Sequence, residues 1–160
     1  MAALSELSLR YRLLLATYRW RVLQPSPWAV PRVPLARARV ALVTSAGLLR
    51  PGVDAPFHEA RGGDPSVRWL PADVDPATLE IGQTSDAFDR APIVADRNAA
   101  FPLDRLRELA AAGAIGAVAP RHVSFNGSMT APGRFTAETA PQVAGQLERD
   151  AVDAALLVPV

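Results

Sequence analysis

The sequence predicts an α/β domain: an open, mostly parallel sheet with flanking helices, doubly wound in the flavodoxin-like manner, preceded by an N-terminal helix and a proline-rich arm. Three observations predict it. From residue 101 onward the chain alternates helix, strand, helix and strand, the order that a right-handed βαβ unit in a parallel sheet requires. Residues 153–160 read DAALLVPV, an apolar run without alternation, which suits a strand buried on both faces. The chain of 160 residues is enough for one core, and domains of this size bury about 68–70% of the surface their unfolded chains expose.

Residues 1–38 read as the helix and arm, and residues 39–160 as the α/β domain. Between residues 8 and 22, Tyr11, Leu14, Leu15, Tyr18 and Val22 recur at three- and four-residue steps with arginines between them, which predicts an amphipathic helix. Pro25 and Pro27 stop it, and Pro31 and Pro34 keep the following strap extended, because proline lacks the N–H that helices and inner strands use. Trp20 and Trp28 flank this strap and are expected to be buried anchors for it.

Residues 39–46, RVALVTSA, form the first predicted strand, ended by Gly47. Residues 48–65 have no period and are rich in Gly, Pro and Asp, so they read as a long excursion. Residues 66–70 are a short strand closed by Pro71. Between residues 73 and 98 only a helical turn after Asp75-Pro76 is expected, the remainder being loop. Residues 101–112, FPLDRLRELAAA, are the clearest helix: Pro102 suits its first turn, Leu103, Leu106 and Leu109 make its stripe, and Gly113 caps it. A third strand is expected at 115–119 and a polar loop at 120–127. The last helix is expected at 136–150, N-capped by Thr136 or Thr139, with Val143 and Leu147 facing the core.

Composition narrows the function classes. Hydrophobic residues make up 49% and charged residues 21% of the chain, and no apolar run reaches the roughly 20 residues of a membrane span, so a soluble cytoplasmic protein without a membrane partner is expected. The run Leu13-Leu14-Leu15 is bracketed by Arg10, Arg12, Arg19 and Arg21 and lacks a following cleavage site, unlike a secretory signal. No cysteine is present, which excludes a disulfide framework, thiolate zinc sites and a cysteine nucleophile within these residues. Arginine supplies all 17 basic residues, a bias in keeping with a GC-rich genome. Residues 1–39 carry seven arginines against Glu6, whereas residues 40–160 carry ten against fifteen acids. This basic arm is expected to face solvent or the protein's own acidic body rather than nucleic acid.

In open α/β sheets ligands bind beyond the carboxyl ends of the strands. Thr44 and Ser45 at the end of the first strand, and Arg121, Ser124 and Asn126 around the third, are therefore the candidate substrate-binding residues. His122 is the candidate acid–base group, His58 lying in the excursion. Asp86, Asp89 and Asp96 match no metal-binding spacing and are read as turn and surface residues. No Gly-x-Gly-x-x-Gly or Walker motif supports a nucleotide site.

Taken in order, the segments ALVTSAGL, GGDPSVRWLP, FPLDRLREL, IGAVAPRHVSFNGS, APGRFTAETAP and DAALLVPV resemble the selenoprotein B family of glycine, sarcosine, betaine and D-proline reductases, and more closely its shorter branch. The resemblance runs from about Leu7 to the last residue, and the combination of FPLDRL with APRHVSF is its specific part. In that family the segment matching LLVPV is followed by selenocysteine or cysteine and, after a short spacer, a second cysteine. The resemblance thus implies that Val160 stands just before the reactive chalcogen, that the redox residue is absent from this chain, and that no catalytic residue carries over. It also implies reductive cleavage of a substrate bond by a selenol or thiol, regeneration by a thiol reductant system, and a pyruvoyl group in a partner subunit that holds an amine substrate. The expected partners are a small-molecule substrate, that reductant and a partner subunit or second copy. A non-catalytic binding or regulatory module of the same fold is the alternative, and an enzyme pairing His122 with Asp86 or Asp89 is a third class.

Overall fold

The computed structural model describes residues 8–18, 24–25, 29–58, 61–83, 85 and 89–160. They fall in two compact units, Met1–Val30 and Pro31–Val160. In the first unit the described helix is α1 (Leu9–Thr17), with Leu9, Leu13 and Tyr18 exposed. Trp20, Val22 and Trp28, read as helix stripe and anchors, lie outside the described residues.

The second unit contains, in chain order, β1 (Arg39–Thr44), β2 (Leu48–Leu49), β3 (Val67–Pro71), β4 (Glu80–Ile81), α2 (Ala91–Ala95), α3 (Leu103–Ala111), β5 (Ala117–Val118), β6 (Arg121–Phe125), α4 (Ala140–Arg149) and β7 (Ala154–Val158). The valine- and leucine-rich β1 is central. On one side β7 runs parallel to it, in register from Val40↔Ala154 to Thr44↔Val158. On its other side β5 pairs with the start of β1 and β6 with its end, both parallel. β3 closes the main sheet antiparallel to β6, and β2 and β4 form a separate antiparallel pair.

Alternation along β1 divides its side chains between two cores. Val40 and Leu42 pack with Leu70, Leu79, Phe101 and the α3 residues Leu103 and Leu106. Ala41 packs with Val123 and the α4 residues Val143 and Leu147. Helices therefore cover both faces of a mostly parallel sheet, and the chain from β6 through α4 to β7 crosses β1, the doubly wound α/β arrangement expected.

Several elements differ from the sequence reading. The polar stretch 120–127, expected as a loop, contains β6, whereas the strand expected at 115–119 is reduced to the two residues of β5. Gly116 explains the late start of β5: a side-chain carbon there would meet the carbonyl carbon of Arg37 at 2.4 Å, so the chain packs backbone to backbone before it joins the ladder. Between residues 73 and 98 the turn after Asp75 is present, but β4, α2 and a further turn at Arg97–Ala99 accompany it. Neither Thr136 nor Thr139 caps a helix, because helical backbone is already established before them in a π turn, Phe135–Thr139, that runs directly into α4. Leu109, expected in the buried stripe of α3, is 45% exposed, and only Leu103 and Leu106 of the three are buried.

The largest departure is β7. It was expected to be buried on both faces, yet Leu156 and Leu157, which point to opposite faces, are 47% and 68% exposed. β7 pairs with β1 alone among the described residues, and neither α3 nor α4 extends over it far enough to cover these side chains.

Candidate functional site

The sheet brings the ends of β6, β1 and β7 side by side. Thr44 stands in register with Ser124 on one side and Val158 on the other. Just beyond it, Ala46 bridges Asn126, and the Gly47 N–H donates to the Phe125 carbonyl at 2.9 Å. These contacts gather Thr44, Ser45, Ser124 and Asn126 at one carboxyl edge.

The side chains are used differently. Thr44 is fully buried, and its Oγ1 accepts the Ala46 N–H at 3.2 Å, shaping the turn that ends β1. Ser124 is fully buried and its hydroxyl has no hydrogen-bond partner. Asn126 is buried, and its Oδ1 accepts the Ser128 N–H at 3.0 Å, an Asx turn that reverses the chain after β6. Ser45 is half-buried, and its hydroxyl accepts the Val160 N–H at 2.9 Å.

His122 lies lower in the sheet, two residues before Ser124 on the same face. Its Nδ1 accepts the Leu42 N–H at 3.0 Å, so the imidazole occupies a ladder position that a main-chain carbonyl would otherwise hold. The nearby Pro120 carbonyl is engaged elsewhere, accepting the Ala72 N–H at 3.0 Å. Nε2 has no partner, and the Phe101 ring packs edge-on with centroids 5.6 Å apart. Burial, with the Arg107 charge adding to it, pushes the His122 pKa down to about 4. Arg121 is at the amino end of β6, away from the other candidates, and its Nε lies 2.9 Å from Asp150 Oδ2.

Two residues that the sequence reading passed over also shape this edge. Gly127 approaches Ser45 so closely that a Cβ would lie 2.9 Å from the serine Cβ. Gln83 is buried, and its main chain packs against Gly47 where a Cβ would come within 3.1 Å of the Gln83 nitrogen. Gly82, directly before Gln83 in the IGQ segment, is the sequence signal for this approach.

Elsewhere, two grooves of about 390 and 370 Å³ flank α4 and the preceding π turn. The first is lined by Val67, Trp69, Val143 and Arg149, the second by His58, Asp64, Arg134 and Glu138. None of the sequence-selected binding residues lines either groove. Asp89 and Asp96 accept main-chain N–H bonds from Ala91 and Asn98, as turn residues do, while Asp86 lies outside the described residues. Among the described residues no cluster of three or more His, Cys, Asp or Glu side chains can hold a metal, and no helix is long and apolar enough to cross a membrane.

A mostly parallel sheet wound by helices, with small polar side chains collected where three strands end, defines an α/β protein organised around its carboxyl edge. Residues 18–160 match the family described as glycine/sarcosine/betaine reductase selenoprotein B, and the chain belongs to that family. It is 35% identical over 133 residues to the D-proline reductase subunit gamma of Acetoanaerobium sticklandii, covering 83% of this chain and 53% of that protein. It is 31% identical over 135 residues to the glycine reductase complex component B subunit gamma of Symbiobacterium thermophilum, covering 83% of this chain and 30% of that protein. The chain thus spans about half of the first relative's length and less than a third of the second's. No solved structure matches the chain significantly.

Proposed function

We propose that this chain is the α/β scaffold of a selenol- or thiol-dependent reductase subunit of the glycine, betaine and D-proline reductase type. One observation carries the reading: two relatives named as reductase subunits each align over 83% of the chain. We take the redox chalcogen to follow the segment that matches Val160, as the resemblance implies; that segment ends at the carboxyl edge where Thr44, Ser45, Ser124 and Asn126 gather. In this reading the chalcogen and a nearby cysteine supply two electrons to the substrate bond that breaks, and protons go to the two fragments. The chalcogen pair is left as a selenenyl sulfide or disulfide, and an external thiol reductant restores it. A pyruvoyl group in a partner subunit, which the resemblance implies, would supply the carbonyl chemistry that holds an amine substrate. The contribution of this chain is a rigid platform at the end of a strand, with Ser45 at its rim and the buried Asn126 shaping the turn beside it.

The test has two parts. The nucleotide sequence after codon 160 is expected to show an in-frame TGA followed by an open frame with a cysteine codon nearby; TAA or TAG with no downstream frame overturns the reading. The extended protein, purified with its partner subunit, is then assayed with dithiothreitol and glycine, sarcosine, betaine or D-proline. Product formation with one of these compounds is expected, and a folded complex inert toward all four would favour the non-catalytic binding module.

A further inference from the structure

We infer that Ser45 is a positioning residue that fixes the main chain at residue 160, and with it the direction in which the strand end presents its chemistry. The inference rests on the reading above that the carboxyl end of β7 is the working edge, and it assigns Ser45 a task other than contacting substrate. The Ser45 hydroxyl holds both polar main-chain groups of Val160: it accepts the N–H at 2.9 Å and donates to the carbonyl oxygen at 3.4 Å. Its own main chain is held from two sides, the N–H donating to the Val158 carbonyl at 3.2 Å and the carbonyl accepting the Gly127 N–H at 2.9 Å. One residue therefore joins the ends of β1, β7 and the segment after β6.

The ladder between β1 and β7 stops at Thr44↔Val158, and Pro159 has no N–H to extend it. Residue 160 would leave the sheet unsupported without another partner. The serine hydroxyl is both donor and acceptor, so it can hold an N–H and a carbonyl together. Gly127 is the second half of the device. A Cβ there would stand 2.9 Å from the Ser45 Cβ and 3.2 Å from its Oγ, so any larger residue would push the hydroxyl off Val160.

The test uses the 160-residue chain labelled with ¹⁵N and reads amide exchange at Val160 and at Leu42, which reports on the central ladder. Ser45→Ala is expected to accelerate exchange at Val160 by about three- to tenfold, the loss of one net hydrogen bond, while Leu42 stays unchanged. Gly127→Ala should act in the same direction, and Ser45→Thr, which keeps the hydroxyl, should retain the protection. In a Val160→Cys background, the alkylation rate of the probe thiol by iodoacetamide should shift on adding Ser45→Ala and not on adding Ser45→Thr. Unchanged exchange at Val160 in Ser45→Ala overturns the inference. Equal acceleration at Val160 and Leu42 overturns it as well, since Ser45 would then support the fold in general, and so does loss of protection in a folded Ser45→Thr. A failure of the reductase reading would leave all these outcomes unchanged, so the two fail separately.

Discussion

His122 shows how a residue type that suggests chemistry can be committed to architecture. Its Nδ1 replaces a ladder carbonyl for the Leu42 N–H, which requires the neutral ring, and burial then Arg107 depress its pKa to about 4 from an ordinary 6.5. The unfolded chain binds the proton more readily, so the stabilisation is complete above about pH 6.5 and is lost as pH falls toward 4. The total is on the order of 3 kcal/mol. Asp54, whose carboxylate is held low first by the hydrogen bond from Arg50, loses its contribution only at more acid pH, so the two windows separate. Denaturant titrations between pH 4 and 7 should show this limb, and His122→Leu should flatten it while costing about 1–3 kcal/mol at pH 7 through the orphaned Leu42 N–H. A limb that persists in His122→Leu would assign it elsewhere. The arginines repeat the lesson. Arg107 donates from Nη2 to the carbonyls of Ala72 and Val74, each at 2.8 Å, and from Nη1 to Asp104 at 2.7 Å. Arg68 spans the carbonyls of Ala55 and Pro56 in the same way. Arg107→Lys keeps the charge beside His122 but not the planar fork, so it should cost about 1–2 kcal/mol in urea melts without moving the acid limb.

At the scale of elements, periodicity was legible wherever packing against one face dominates. β1, α3 and α4 follow it, with Leu103, Leu106, Val143 and Leu147 buried as read. β6 was not legible, because RHVSF carries polar residues at its inward positions, and His122 and Ser124 are buried by the sheet rather than by their own hydrophobicity. The antiparallel direction of β3 and the two-residue strands depend on tertiary contacts that local sequence does not encode. Capping separates the two readings experimentally. Thr136 and Thr139 make no cap bond, so Thr→Ala at either should change stability by less than about 0.5 kcal/mol. Asp75 accepts the Ala77 N–H at 2.9 Å, and Asp75→Ala should cost about 1 kcal/mol. Thermal melts of the three variants decide this, and equal losses would restore the threonines as caps.

At the scale of the molecule, the sheet has two unlike edges. β3 carries Arg68 and ends in Pro71, features that discourage pairing with another chain. β7 reads AALLV, with no charge, proline or bulge within it, and exposes Leu156 at 47% and Leu157 at 68% on opposite faces. Among the described residues its outer edge has no strand partner and a leucine is exposed on each face, the combination most prone to edge-to-edge association. Its apolar composition was legible in the sequence; its exposure was not, because hydrophobicity reports what a strand requires and the neighbouring elements decide whether that is supplied. The 160-residue chain is therefore expected to self-associate with rising concentration, eluting earlier on size-exclusion chromatography at high loading. Leu157→Lys places a charge on the exposed face at a position that no core uses, and it should shift the chain toward monomer without lowering the midpoint of its thermal melt. A wild-type chain that remains a monomer at every concentration would show that the β7 edge is inert, and association undiminished in Leu157→Lys would move the contact to another surface.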